Sequence, residues 1–76
     1  MSEVEFCWVI RRDDGMFYCG WDFYNTIFIK EHFTKSLAKA VLKKCVFSEK
    51  NAHWEIKQMD LKNCRPVKIE MRVVEE

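Results

Sequence analysis

Val4, Phe6, Trp8 and Ile10 alternate with Glu5, Cys7, Val9 and Arg11, the period of two that a strand shows when one face meets a core and the other meets water. Arg12-Asp13-Asp14-Gly15 reads as the turn that follows, because Asp-Gly tolerates the positive φ of a tight hairpin. Beyond it Phe17, Cys19, Trp21 and Phe23 share one face, with Met16, Tyr18, Gly20 and Asp22 on the other, so residues 16–23 are expected to be the antiparallel partner. Tyr24-Asn25-Thr26 breaks the pattern, and Ile27, Phe28 and Ile29 form a short extended segment whose face three consecutive apolar residues leave undefined. From Thr34 the period changes. Leu37, Ala38, Val41, Leu42 and Cys45 recur at three- and four-residue steps, which predicts an amphipathic helix over 35–46 with Thr34 as its cap and Phe33 packed on its first turn. Ser48-Glu49-Lys50-Asn51 is then a loop. Trp54, Ile56, Met59 and Leu61 alternate with a slip near Gln58, which predicts a third strand over 53–60 with a bulge or strand end there. Val67, Ile69, Met71 and Val73 alternate with Lys68, Glu70 and Arg72 in a fourth strand over 67–73.

The elements read ββαββ: an α+β domain in which a four-stranded antiparallel sheet is covered on one face by one amphipathic helix. At 76 residues the chain has room for a single domain over 1–76. A chain this short hides only about 60–65% of its unfolded surface, so its core needs large side chains. Six Phe, three Trp and two Tyr supply them.

The sequence offers little catalytic chemistry. Cys7, Cys19, Cys45 and Cys64 contain no C-x-x-C pair, so neither a zinc knuckle nor a redox dithiol is expected, and the four read as reduced thiols. His53-Trp54-Glu55 matches the H-x-E half of a zinc-dependent nucleobase deaminase but lacks the P-C-x-x-C half; a strand end with His53 and Glu55 facing water beside a buried Trp54 explains it better. His32 beside Glu31 would complete a Cys-His-Glu set only if a thiol came near. Two glycines are too few for a phosphate-cradling loop, and a fold this small is expected to lack a cleft of about 300 Å³ or more. No enzyme activity, metal or cofactor is therefore expected. An acidic amino terminus without a basic region, and no apolar run near the roughly 20 residues that span a bilayer, point to a cytoplasmic protein, in a host cell if phage-encoded, with no membrane partner.

Thirteen basic against twelve acidic residues leave a net charge of +1, which names no partner. Its layout says more. Lys30, Lys35, Lys39, Lys43, Lys44 and Lys50 against Glu31 and Glu49 leave residues 30–50 at +4, whereas five acids against Arg11 and Arg12 leave residues 1–29 at −3. Lys35, Lys39 and Lys43, with Lys44 beside them, form a ridge that can track phosphates while aromatics stack on bases; a solvated helix back is the plain alternative. At the acidic end, Asp13, Asp14 and Asp22 with Met16, Tyr18 and Tyr24 make a candidate protein-binding patch of charged rim and aromatic anchors, unless the same residues finish the core.

Asp14-Gly15-Met16-Phe17-Tyr18, Gly20-Trp21, and Phe33-Thr34-Lys35-Ser36 opening an Ala- and Lys-rich helix resemble small accessory proteins of phages and prophages. The resemblance spans most of the chain but rests on turn and core residues, so it bears on fold more than activity. Some proteins of that kind block host defence by occupying a surface of an effector complex, as anti-CRISPR proteins do. What it implies is a non-enzymatic inhibitor, monomeric or homodimeric, that binds a host protein or nucleoprotein complex. Nucleic-acid binding by the basic helix face is the second reading, and a small-ligand sponge in an oligomer cleft the third.

Overall fold

The computed structural model describes the backbone of residues 2–24 and 27–74 and the side chains of residues 5–21 and 30–71. Three strands come first, β1 (Ser2–Arg12), β2 (Phe17–Tyr24) and β3 (Ile27–Thr34), then two helices, α1 (Leu37–Leu42) and α2 (Glu49–Gln58), and last β4 (Cys64–Val74). The strands form one antiparallel sheet in the order β3-β2-β1-β4. The α+β class and the four-stranded sheet are as expected; the order βββααβ and the second helix are not. Residues 27–29 open a full strand, and residues 53–60, expected as a strand, lie mostly in α2.

The alternation of Trp54 with Ile56 misleads because Ala52, Ile56 and Met59 carry the inward stripe at helical steps, with Ala52 buried and the other two packed on the core. Ser48 starts that helix: its hydroxyl accepts from the Asn51 N–H at 3.2 Å. α1 is shorter than predicted. Ser36, not Thr34, caps it by accepting from the Lys39 N–H at 3.2 Å, while Thr34 Oγ1 accepts from the Ser36 N–H. Its inward residues are Ala40 and Cys45, and Leu42, expected in the core stripe, is 81% exposed.

Both helices stop without glycine. After α1 the Lys44 N–H donates to the Val41 carbonyl and the Cys45 N–H to that of Ala40; after α2 the Asp60 N–H donates to Lys57 and the Leu61 N–H to Ile56. This is the Schellman pattern, and its left-handed position falls on Lys44 (φ 60°) and Asp60 (φ 51°). Because a Cβ disfavours that conformation, Lys44→Gly and Asp60→Gly are each expected to raise the urea midpoint, by about 0.5–1 kcal/mol of stability.

Among the described residues the sheet is continuous near the first hairpin. There Asp13–Gly15 form a three-residue loop in which the Gly15 N–H donates to Arg12 and Gly15 sits at φ 90°. β1 pairs with β4 from Ser2↔Val74 to Arg12↔Cys64. Among the described residues its partner on β2 is Phe17, opposite Arg11. Further along, Trp8 exchanges both backbone hydrogen bonds, 2.8 Å each, with Phe47 from the segment between the helices. Phe47 thus wedges apart two ribbons, β1/β4 and β2/β3, and the molecule measures 44 × 24 × 22 Å. The radius of gyration, 13.4 Å, exceeds the roughly 11 Å of a compact chain of this length. The core of Ile10, Tyr18, Cys45, Ala52 and Leu61 sits where the ribbons meet, and Trp8, Trp21, Phe33, Phe47, Ile56, Met59 and Cys64 pack around it.

Candidate functional site

A β-bulge shapes the site. Tyr18 pairs with Phe33 and Trp21 with Glu31, so three steps along β2 match two along β3 and one extra residue is taken up at Cys19-Gly20. Gly20 adopts φ 109°. A Cβ there would meet only the Cys45 Sγ, at 4.0 Å, so backbone conformation rather than lack of space calls for glycine. The bulge brings Tyr18 and Trp21 onto the same face, where the sequence pattern puts them on opposite ones.

Tyr18, expected as an exposed anchor, is therefore in the core at 2% exposure, its ring edge-on to Phe33 with centroids 6.0 Å apart. Its hydroxyl donates to Glu55 Oε2 at 2.9 Å. Burial first, and then that hydrogen bond, hold the phenol well above its ordinary range. Asp14 is occupied locally: Arg12 reaches both its oxygens, at 3.0 and 2.6 Å, and the Met16 N–H donates to Oδ1 at 3.2 Å. The Arg12 hydrogen bond, followed by the Met16 N–H, keeps its carboxyl below the usual range. Met16 is half-buried, its sulfur 3.3 Å from Arg12 Nη2, and Asp13 is exposed. The side chains of Asp22 and Tyr24 lie outside the described residues. Of the hairpin patch, Tyr18 is thus taken by the core and Asp14 bonds within its own turn, while Asp13 and Asp14 both stay exposed.

The lysines are arranged differently from a ridge. Lys35 precedes the cap, Lys39 lies within α1, Lys43 is its last cap and Lys44 turns left-handed; all four are exposed. Lys39 and Lys43 stand on the wall of a cleft of about 420 Å³ between α1 and the sheet, together with Cys19, Gly20 and Trp21 of β2 and His32, Phe33 and Thr34 of β3. Among the described residues no carboxylate lines it. A second, more apolar cleft of about 420 Å³ lies beside Phe47, Asn51, Trp54 and Glu55, with Trp54 58% exposed. The cleft beside α1 overturns the expectation that the fold has no cleft of about 300 Å³ or more. The second cleft corrects the reading of His53-Trp54-Glu55: Trp54 faces out and Glu55 holds Tyr18. Sequence reasoning missed Trp21, Thr34 and Gly20 as cleft residues, since no local pattern reveals a bulge.

The four cysteines are free thiols. Burial, foremost among the causes, raises Cys45, Cys64 and Cys7 above the ordinary thiol range. Among the described residues no three His, Cys, Asp or Glu side chains are grouped to hold a metal, and no helix is long and apolar enough to cross a membrane. The sequence matches no protein-family profile, no curated protein and no solved structure.

Proposed function

We propose that the protein binds nucleic acid without catalysis, in a reducing cytoplasm, through the cleft between α1 and the β2/β3 ribbon. One observation carries this reading: Lys39 and Lys43 share a wall of a polar cleft that also holds aromatic rings and, among the described residues, no carboxylate. Ammonium groups so placed neutralise backbone phosphates, and the counterions released make binding steeply salt-dependent. Four free thiols fit the compartment. Lys39→Glu with Lys43→Glu changes two exposed side chains. In anisotropy titrations the pair is expected to weaken binding of a labelled oligonucleotide at least about tenfold and to flatten the slope of log affinity against log salt by about 1–2. Unchanged affinity would sink the proposal.

Occupation of a host protein surface, as the resemblance to phage accessory proteins implies, is the second reading. The exposed Trp54 beside the Phe47 cleft favours it, an aromatic anchor next to a ready-made apolar recess. Its partner would bind the Lys39→Glu/Lys43→Glu variant as well as the parent protein.

A further inference from the structure

We infer that β4 is a homodimer interface: its outer edge pairs antiparallel with β4 of a second copy about a two-fold axis at Ile69, joining the two sheets into one. Dimerisation of this kind is independent of what the α1 cleft binds. The sheet order leaves β3 and β4 at the edges. β3 follows β2 with two register shifts, whereas β4 follows β1 without a break from Ser2↔Val74 to Arg12↔Cys64. An unbroken edge of 11 residues presents a row of backbone donors and acceptors on which another strand can pair.

The backbone fixes which groups face outward. On β1, Trp8 spends both its N–H and its C=O on Phe47, and the Arg12 N–H donates to Met16, all on the side away from β4. Backbone groups alternate sides along an antiparallel strand, so Trp8 and Lys68 are a pair without mutual hydrogen bonds. Pro66, Lys68, Glu70 and Arg72 therefore turn their backbone groups to the open edge. Pro66, which has no N–H, falls where the ladder with β1 loses nothing. Among the described residues no other backbone group bonds to this side.

The side chains select a second copy as the occupant. With Ile69 opposite Ile69 of the second copy, the whole of Cys64–Val74 is paired. Lys68 and Glu70, both exposed, then stand opposite Glu70 and Lys68 of the second copy and exchange backbone hydrogen bonds with them. The Lys68 ammonium lies 4.4 Å from the Phe6 ring centroid in one chain; its flexible stem and three donors let it reach the facing carboxylate. On the other face Val67 meets Met71, and Ile69 meets its own copy; all three are half-buried and lie beside Cys7, so an apolar row crosses the junction. Moving the axis by one residue sets Lys68 against Lys68 or Glu70 against Glu70, and like charges directly opposite are unfavourable. The strand is thus complementary to itself in the alignment that pairs its full length.

The test is sedimentation equilibrium of the intact chain in reducing, low-salt buffer, which removes any disulfide-linked dimer. Average mass is expected to rise toward twice that of one chain between about 1 µM and 1 mM, the range of a small interface. Glu70→Lys, an exposed substitution that sets lysine against Lys68 of the second copy, is expected to weaken association at least about tenfold. Lys68→Glu should do the same, and the double exchange Lys68→Glu/Glu70→Lys should restore association to within about threefold of the parent. That rescue separates an interface from a folding defect, which a second reversal would not repair. A monomer throughout the concentration range, a dimer indifferent to Glu70→Lys, or a double exchange that stays as weak as the single variants each overturns the proposal.

Discussion

Tyr18→Ala is expected to remove a large share of the chain's stability, moving the urea midpoint of the far-UV transition far below that of the parent protein. The side chain is buried at the meeting point of the two ribbons, contacts Phe33 and ties β2 to α2 through Glu55. Truncating a buried aromatic of this kind removes about 3–5 kcal/mol, against a total of about 4–11 kcal/mol for a domain of this length. Tyr18→Phe separates packing from hydrogen bonding. It keeps the ring and removes the donor to Glu55, and a loss of about 1–2 kcal/mol in urea titrations is expected.

The same residue gives stability an alkaline limit. The unfolded phenol ionises near pH 10, whereas in the folded chain burial and the Glu55 carboxylate keep it protonated beyond that. The folded state therefore holds more protons above pH 10. Tyr18's contribution is fully present below that pH and declines as pH rises toward the folded value, by up to about 1.4 kcal/mol per unit. Tyr18→Phe should show a shallower alkaline decline than the parent protein; identical profiles would contradict the assigned environment.

Ile10→Ala is the second large loss expected, about 2–5 kcal/mol, as the residue is fully buried in the central cluster. Phe6→Ala, four positions earlier on the same alternating row, is expected to cost less than about 1 kcal/mol. Phe6 is 61% exposed, and the Lys68 ammonium sits 4.4 Å above its ring. Side by side in urea titrations, the pair tests whether cohesion is concentrated at the hairpin end of β1. Comparable losses would mean that the ribbons close over Phe6 in solution.

The contrast between these two residues also marks what the sequence could reveal. β1, β2 and β4 were legible from alternation, and the first turn from Asp14-Gly15, because a strand's period and a positive-φ glycine are local properties. The helix ends were not. The usual stop signal is a glycine, and here Lys44 and Asp60 occupy the left-handed positions, so the stretch to residue 46 read as one helix. α2 was hidden by its composition: its inward stripe begins with a small Ala52 while its largest apolar side chain, Trp54, faces outward, the reverse of what a hydrophobic pattern weights. Of the candidate contacts, the sequence offered Lys39 and Lys43, but nothing in it placed Trp21 and Thr34 across from them. Tyr18 looked exposed because plain alternation was carried through Gly20.

The extra residue at Cys19-Gly20 has a further effect, on how the β2–β3 hairpin can be assembled. A plain ladder can slide along itself by two-residue steps without turning a side chain over, whereas a kinked one is held to the alignment in which the kink meets its glycine. The hairpin carries its own ratchet. Deleting one residue between Tyr18 and Trp21 would leave strand length nearly intact yet turn Trp21 to the opposite face, so a change of spacing here is expected to cost more than a substitution at Cys19.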